Sequence, residues 1–182
     1  FWNDSINNPN YKITTDWGVL DGYHAPCRNS MNDFNSIMSA PWTFDSVPSP
    51  RNNSWFLCAL GARRAITFLE RQPEVNPEKI GVYGHSMGGK LTVMTATDSR
   101  IKAAAPSCGG ISNNHSDYEL YERTLSDAVY LERIKCPIIF LNPSNDFHGQ
   151  IVDLRSAVES TKAKDWRISS SAHSNHQDLP EF

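Results

Sequence analysis

Lys79-Ile80-Gly81-Val82-Tyr83-Gly84-His85-Ser86-Met87-Gly88-Gly89 is the stretch whose reading decides the fold of this 182-residue chain. A short apolar run ends in Gly84-His85-Ser86-Met87-Gly88 and passes into a helix-compatible segment. These five residues have the G-x-S-x-G pattern of a tight strand-to-helix turn that lifts a serine hydroxyl above a sheet. The serine of such a turn sits in a strained backbone conformation, so the residues two before and two after it are expected to be small. Gly84 and Gly88 meet that demand. The bare pattern arises by chance in roughly one chain in twenty of this length. Its surroundings must decide.

Upstream, apolar and small residues at Leu57, Cys58, Gly61, Ala62, Ala65, Ile66 and Leu69 recur at helical spacing and predict a helix from Ser54 to Arg71. Asn53 or Ser54 caps its start and Pro73 ends it. Then come a strand at Ile80 to Tyr83, the turn, and a helix from about Met87 to Ala96. Ile101 to Ala105 reads as a second strand that ends near Ser107-Cys108-Gly109-Gly110. Residues 111–130 are polar and suit an excursion over the strand ends. Pro137-Ile138-Ile139-Phe140-Leu141 is the clearest strand, Ile151 to Lys162 a helix, and Trp166 to Ser170 a fourth strand. Strands alternating with helical patterns imply βαβ units and a mainly parallel sheet with flanking helices, in one domain.

Residues 1–51 are different. They are rich in Asn, Asp, Ser and Pro and show neither alternation nor a helical stripe, so they read as long connecting structure. Trp17, Tyr23, Trp42 and Phe44 are expected to pack as satellites of the core.

Composition narrows the function classes. Hydrophobic residues at 39% and charged residues at 20% describe a globular protein rather than a disordered one. The net charge of −3, spread without blocks, gives no surface for nucleic acid or membrane. Cys27, Cys58, Cys108 and Cys136 are widely separated and form no C-x-x-C pair. Buried thiols are expected rather than a zinc site or disulfides. The chain begins at Phe1 without a signal sequence, which leaves localisation open.

In a parallel α/β sheet, functional groups collect where strands end at the carboxyl edge. Ser86 follows the first strand, Asp146 the third, and His173 and His176 the fourth. The chain order serine, acid, histidine is the order of α/β-hydrolases. The roles follow from proton transfer: an imidazole takes the serine proton, and a carboxylate orients and stabilises that imidazole. Asp146 also fits a turn former after Pro143-Ser144-Asn145, with Asp153 and Asp127 as fallbacks. Spacing does not separate His173 from His176. His85 is expected to orient or pack, and His148 either lines the pocket or is a solvated turn residue. The Met87 amide, next after the serine, is the expected oxyanion donor. No His-Gly-Gly-like loop that would carry a second donor precedes Ser86.

Val82-Tyr83-Gly84-His85-Ser86-Met87-Gly88-Gly89-Lys90 and Asn145-Asp146-Phe147-His148-Gly149 together resemble the α/β-hydrolase superfamily, nearest to acetyl xylan esterase-like and dienelactone-hydrolase-like proteins. The resemblance covers about residues 50–182. It selects His176, within Ser174-Asn175-His176-Gln177, as the histidine of the triad. It implies hydrolysis of carboxylic esters, acetyl esters of carbohydrate among them, without metal or organic cofactor. It also implies an eight-stranded sheet of which this chain carries the last four strands. The expectation is therefore a C-terminal part of the fold, with the earlier strands upstream of Phe1 and an unpaired edge on the strand at Ile80 to Tyr83. Dienelactone hydrolases proper use a cysteine nucleophile, whereas position 86 is a serine. A prolyl-oligopeptidase-type peptidase and a catalytically silent binding module are the alternative readings.

Overall fold

The computed structural model describes residues 12–15, 18–21, 36–39, 43–112 and 118–176. The chain divides into two compact units, Phe1–Cys58 and Ala59–Phe182.

In the first unit, β1 (Lys12–Thr15) and β2 (Gly18–Asp21) form an antiparallel pair with Ile13 opposite Leu20 and Thr14 opposite Val19. This corrects the reading of residues 1–51 as connecting structure. Strands of four residues are too short to show an alternation, and their β-branched residues become legible only when paired across the ladder. Trp17, Tyr23, Trp42 and Cys27 lie outside the described residues. Phe44 does not pack as expected: it is exposed, with the Arg51 guanidinium over its ring. Two buried asparagines organise the approach to the first helix. Asn52 donates from Nδ2 to the carbonyls of Val47 (2.9 Å) and Asp45 (3.1 Å) and accepts from the Asp45 amide at Oδ1. Asn53 donates to the Ser36 carbonyl and accepts from the Trp55 amide at 2.9 Å, which caps α1 (Ser54–Leu69).

Along α1, Cys58 and Ile66 are buried, but Ala65 and Leu69 are exposed, as is Phe68. The expected apolar face is therefore narrower in the structure, and only part of the stripe meets a partner surface.

The second unit holds a four-stranded, fully parallel sheet in the order β3-β4-β5-β6: Gly81–His85, Ala103–Ser107, Ile138–Leu141 and Trp166–Ser169. Parallel neighbours need crossovers, and the intervening helices supply them. These are α2 (Met87–Thr95), the short α3 (Glu119–Thr124) and α4 (Asp127–Leu131), and α5 (Leu154–Ser160), which follows a 3-10 turn at Ile151–Asp153. Among the described residues β3 is an edge strand, as the sequence led us to expect, and its Tyr83 is exposed. The core gathers Ile66, Val93, Ala104, Ile138, Phe140 and Leu154. The excursion adds Ile111 to this core and buries Leu125, and Leu131 just after it joins the core, so it is anchored by apolar packing as well as polar. Cys58 and Cys108 are buried thiols and Cys136 a half-buried one.

Candidate active site

Ser86 follows β3 directly and caps α2 with φ 59° and ψ −118°. A positive φ is costly for a residue with a side chain and persists only where the surroundings enforce it. Here the Ser86 amide donates to the Ser107 carbonyl at 2.8 Å, and the Gly89 amide donates back to the Ser86 carbonyl at 2.8 Å. The glycine requirement is distributed differently from the motif. A Cβ on Gly84 would run into the backbone of Gly88, and one on Gly89 would meet the carbonyls of Ser107 and Gly109 at 2.7 and 2.8 Å. A Cβ on Gly88 would meet nothing within 4 Å. The demand for smallness therefore falls on Gly84 and Gly89, not on Gly88, because the backbone of Gly88 is itself the obstacle.

A serine in this position ordinarily turns its hydroxyl onto the first-turn amides. Ser86 makes no such side-chain cap bond. Its Oγ lies 2.8 Å from Nε2 of His176, whose Nδ1 lies 3.0 and 3.1 Å from the two oxygens of Asp146. An ionised carboxylate only accepts, so Nδ1 carries the proton and Nε2 accepts from the serine hydroxyl. His176 and Asp146 are buried and Ser86 is half-buried.

Two loops deliver this contact. Beyond the ends of β5 and β6 the parallel pairing continues: the Asn142 amide donates to the Ser169 carbonyl and the Ser144 amide to the Ser171 carbonyl, and Asn145 bridges Asn175. The residues that follow that bridge, Asp146 and His176, are thereby set side by side. The acid loop then closes on itself. Asn142 donates to the Gly149 carbonyl at 3.0 Å, and the amides of His148 and Gly149 donate to Oδ1 of Asp146 at 2.6 and 2.8 Å. Burial pushes the Asp146 carboxyl up. The Cys108 thiol, the two amides and the His176 ring outweigh it and hold the carboxyl below its ordinary range.

Of the other expected residues, Asp127 is buried against Lys90 and Asp153 caps α5, so neither fallback meets the His176 ring. His173 is exposed and makes no hydrogen bond to Ser86 or Asp146 among the described residues. His85 packs: its Nδ1 is 3.1 Å from Ser107 Oγ and its ring centroid 4.9 Å from that of His176. His148 is an exposed loop residue that stands edge-on to His176 at 5.8 Å, and partial desolvation there, then His176, lower its pKa despite the opposing Asp146. Met87 is the first residue of α2, so its N–H belongs to the turn whose donors have no intrahelical acceptor. Sequence reasoning missed two members of the site. Phe147 is 72% exposed, yet its ring centroid is 4.4 Å from that of His176; its place beside Asp146 was the available signal. Cys108 is fully buried at φ 54°, in the segment after β4 where strand-end residues collect.

His85, Cys108 and His176 bring one potential metal-ligand atom each within 4.8 Å of one another. Burial, then the Asp146 carboxylate, pushes the Cys108 thiol up to about 12. Both His176 nitrogens are engaged by Ser86 and Asp146, so ligation would dismantle the hydrogen-bonded chain. The cluster fits the packing around His176 better than a metal centre.

The comparisons with known proteins agree with this architecture. In solved structures the fold resembles an acetyl xylan esterase from Paenibacillus sp. R4, with TM-score 0.64 and 21% identity, covering 74% of this chain and 52% of that one. It also resembles acetyl xylan esterase 1 from Thermoanaerobacterium sp. JW/SL YS485, with TM-score 0.61 and 15% identity over 72% and 51% of the two chains. An acylaminoacyl peptidase from Pyrococcus horikoshii matches with TM-score 0.52 and 21% identity over 61% of this chain and 22% of its own. The chain thus spans about half the length of the two esterases. No curated protein matches it by sequence. These likenesses establish an α/β-hydrolase fold, in which the four parallel strands correspond to a C-terminal part. The model of the dienelactone hydrolase family matches residues 49–177, which include β3 to β6, the Ser86 turn and His176. With that match across most of its length, the chain belongs to the dienelactone hydrolase family of α/β-hydrolases.

Proposed function

We propose that this hydrolase cleaves carboxylic esters through an acyl-enzyme on Ser86. The observation that carries the reading is the continuous chain from Ser86 Oγ through the His176 ring to Asp146, at 2.8 and 3.0 Å. His176 takes the hydroxyl proton at Nε2 as Oγ attacks the ester carbonyl, and returns it to the departing alkoxide. Water, deprotonated by the same nitrogen, then attacks the acyl-serine and releases the acid. Asp146 holds the Nδ1 proton and stabilises the imidazolium that forms in each step. The Met87 amide is one donor to the oxyanion of the tetrahedral intermediates. None of these steps calls for a cofactor. Acetyl esters of small molecules or of carbohydrate are the substrate class suggested by the acetyl xylan esterases among the structural relatives. The test is Ser86→Ala in the full-length protein, assayed on p-nitrophenyl acetate. We expect a fall in kcat of about 10⁴-fold or more, and undiminished turnover would sink the reading.

The acylaminoacyl peptidase among the relatives supports a second reading, an amide-cleaving enzyme with the same proton path. Parallel assays on acyl esters and aminoacyl amides separate the two. A silent binding module would leave Ser86 unlabelled by a fluorophosphonate probe.

A further inference from the structure

The proton path described above has no use for one ring that touches it. Phe147 is 72% exposed, whereas His176, whose ring centroid lies 4.4 Å from that of Phe147, is 6% exposed. Single exposed aromatics are ordinary on protein surfaces. This one is held in place on both sides. Asp146 before it is hydrogen-bonded to His176, and the amide of His148 after it donates to Asp146 Oδ1 at 2.6 Å. The Phe147 carbonyl also accepts from Gln150 Nε2 at 3.4 Å. Both His176 nitrogens are engaged, by Asp146 and Ser86, so the phenyl meets the imidazole away from its hydrogen bonds. Of the rings against that imidazole Phe147 is the nearest, and it is open to solvent, while His85 at 4.9 Å is half-buried.

The chemistry decides which part of a substrate passes this ring. In acylation Nε2 of His176 returns the proton to the departing oxygen, which must come within about 3 Å of it. The rest of the alcohol is then carried beside an imidazole that is itself covered, and the nearest exposed ring there is Phe147. A phenyl face holds a ring of comparable size through offset stacking or C–H contact, and a short alkyl chain has too little surface to profit. We infer that Phe147 is a specificity-determining residue, a platform for the alcohol of the ester that selects ring-shaped alcohols, arene or pyranose, over small ones. This role rests on the esterase reading above.

The experiment uses the full-length protein and three esters that share one acyl group: ethyl acetate, phenyl acetate and an O-acetylated methyl xyloside. Wild type is compared with Phe147→Ala and with Phe147→Tyr, which keeps the ring. The side chain is mostly exposed, so truncating it opens no core cavity. The ratio kcat/KM reports the steps through acylation, while the alcohol is still present. Deacylation of acetyl-Ser86, followed by mass spectrometry after rapid quenching, proceeds once the alcohol has left. Phe147→Ala is expected to lower kcat/KM about tenfold on phenyl acetate, on the xyloside or on both. Ethyl acetate and deacylation are expected to stay within about twofold, and Phe147→Tyr to keep wild-type values. The ring-shaped ester that loses more names the alcohol. An equal loss on ethyl acetate, or slower deacylation, would mark Phe147 as a support for His176, which acts in both steps, and overturn the platform. So would an unchanged kcat/KM on both ring-shaped esters, or a wild type that takes a fluorophosphonate label yet cleaves none of the three. A wild type that neither cleaves the esters nor takes the label would overturn the esterase reading itself, and the platform with it.

Discussion

The two ends of α2 each lie near a buried carboxylate of nearly equal exposure, Asp146 at 7% and Asp98 at 6%, and the two are held in opposite ways. At the C-terminal end, Asp98 is wrapped in guanidinium groups. Arg100 donates Nε to Oδ1 and Nη2 to Oδ2 at 2.9 and 2.8 Å, and Arg63 adds a bond at 3.1 Å. Arg100 continues to Thr67 on α1 and to Glu70 just after it. These hydrogen bonds, those of Arg100 foremost, overcome burial and hold the Asp98 carboxyl far below its ordinary range. At the N-terminal end, Asp146 reaches Ser86 through His176, and among the described residues its donors are two amides, a thiol and an imidazole, with no lysine or arginine. The difference separates a structural carboxylate from one suited to chemistry. Arginine cannot be deprotonated, so the charge of Asp98 is permanently answered and fastens α1 to the end of α2. The countercharge to Asp146 would be the imidazolium formed when His176 takes the Ser86 proton, which is when stabilisation lowers a barrier.

Exchanging each carboxylate for its amide tests that contrast most strongly. Asp146→Asn is expected to lower kcat by about 10³- to 10⁴-fold, because an amide at that site reverses the tautomer His176 needs. Asp98→Asn is expected to lower the melting temperature while leaving kcat within about threefold. Equal activity losses from the two substitutions would break the comparison.

A second prediction concerns how the N-terminal end of α2 is packed. Gly84→Ala drives a methyl into the Gly88 backbone and is expected to cost about 1–3 kcal/mol with most of the activity, as overpacking does. Gly88→Ala enters open space within a helix and is expected to leave stability unchanged or raise it by about 0.5 kcal/mol. Denaturant melts of both variants check this, and a Gly88→Ala variant as damaged as Gly84→Ala would refute the assignment.

The smallest effect is in acid. Both carboxyls are held below their unfolded value, so their contribution to stability is complete above about pH 4 and is lost as pH falls through the lower folded values. Asp98→Asn should flatten the acid limb of stability more than Asp146→Asn, because burial offsets more of the depression at Asp146. Melting temperatures between pH 2 and 7 measure it, and an unchanged limb in Asp98→Asn would contradict the assignment.

Much of the second unit was legible from the chain alone. The stretches read as strands at 80–83, 101–105, 137–141 and 166–170 each became a strand within two residues, most plainly at 137–141, where a strand buried in a parallel sheet demands a nearly continuous apolar run. Ser86 was legible from its motif and Asp146 from its place after a strand. Some features were not. The β1–β2 hairpin depends on cross-strand partners that no local pattern announces. The exposed positions of α1 depend on how much partner surface reaches the helix. The partnership of Lys90 with Asp127 joins residues far apart in sequence.

By itself, the order of residues determined the alternation of strands and helices, the strained serine turn, and the set of groups that would reach the carboxyl edge. Tertiary structure decided among members of that set. His173 and His176 lie three residues apart after the same strand, and spacing treats them alike. The continued parallel pairing from Asn142 to Asn145 with Ser169 to Asn175 puts His176 against Asp146 and leaves His173 outside. Gly84 and Gly88 are identical in the motif, yet only the fold shows that one faces backbone and the other open space. In both cases the deciding quantity is a contact between segments remote in sequence, and local pattern carries no record of it.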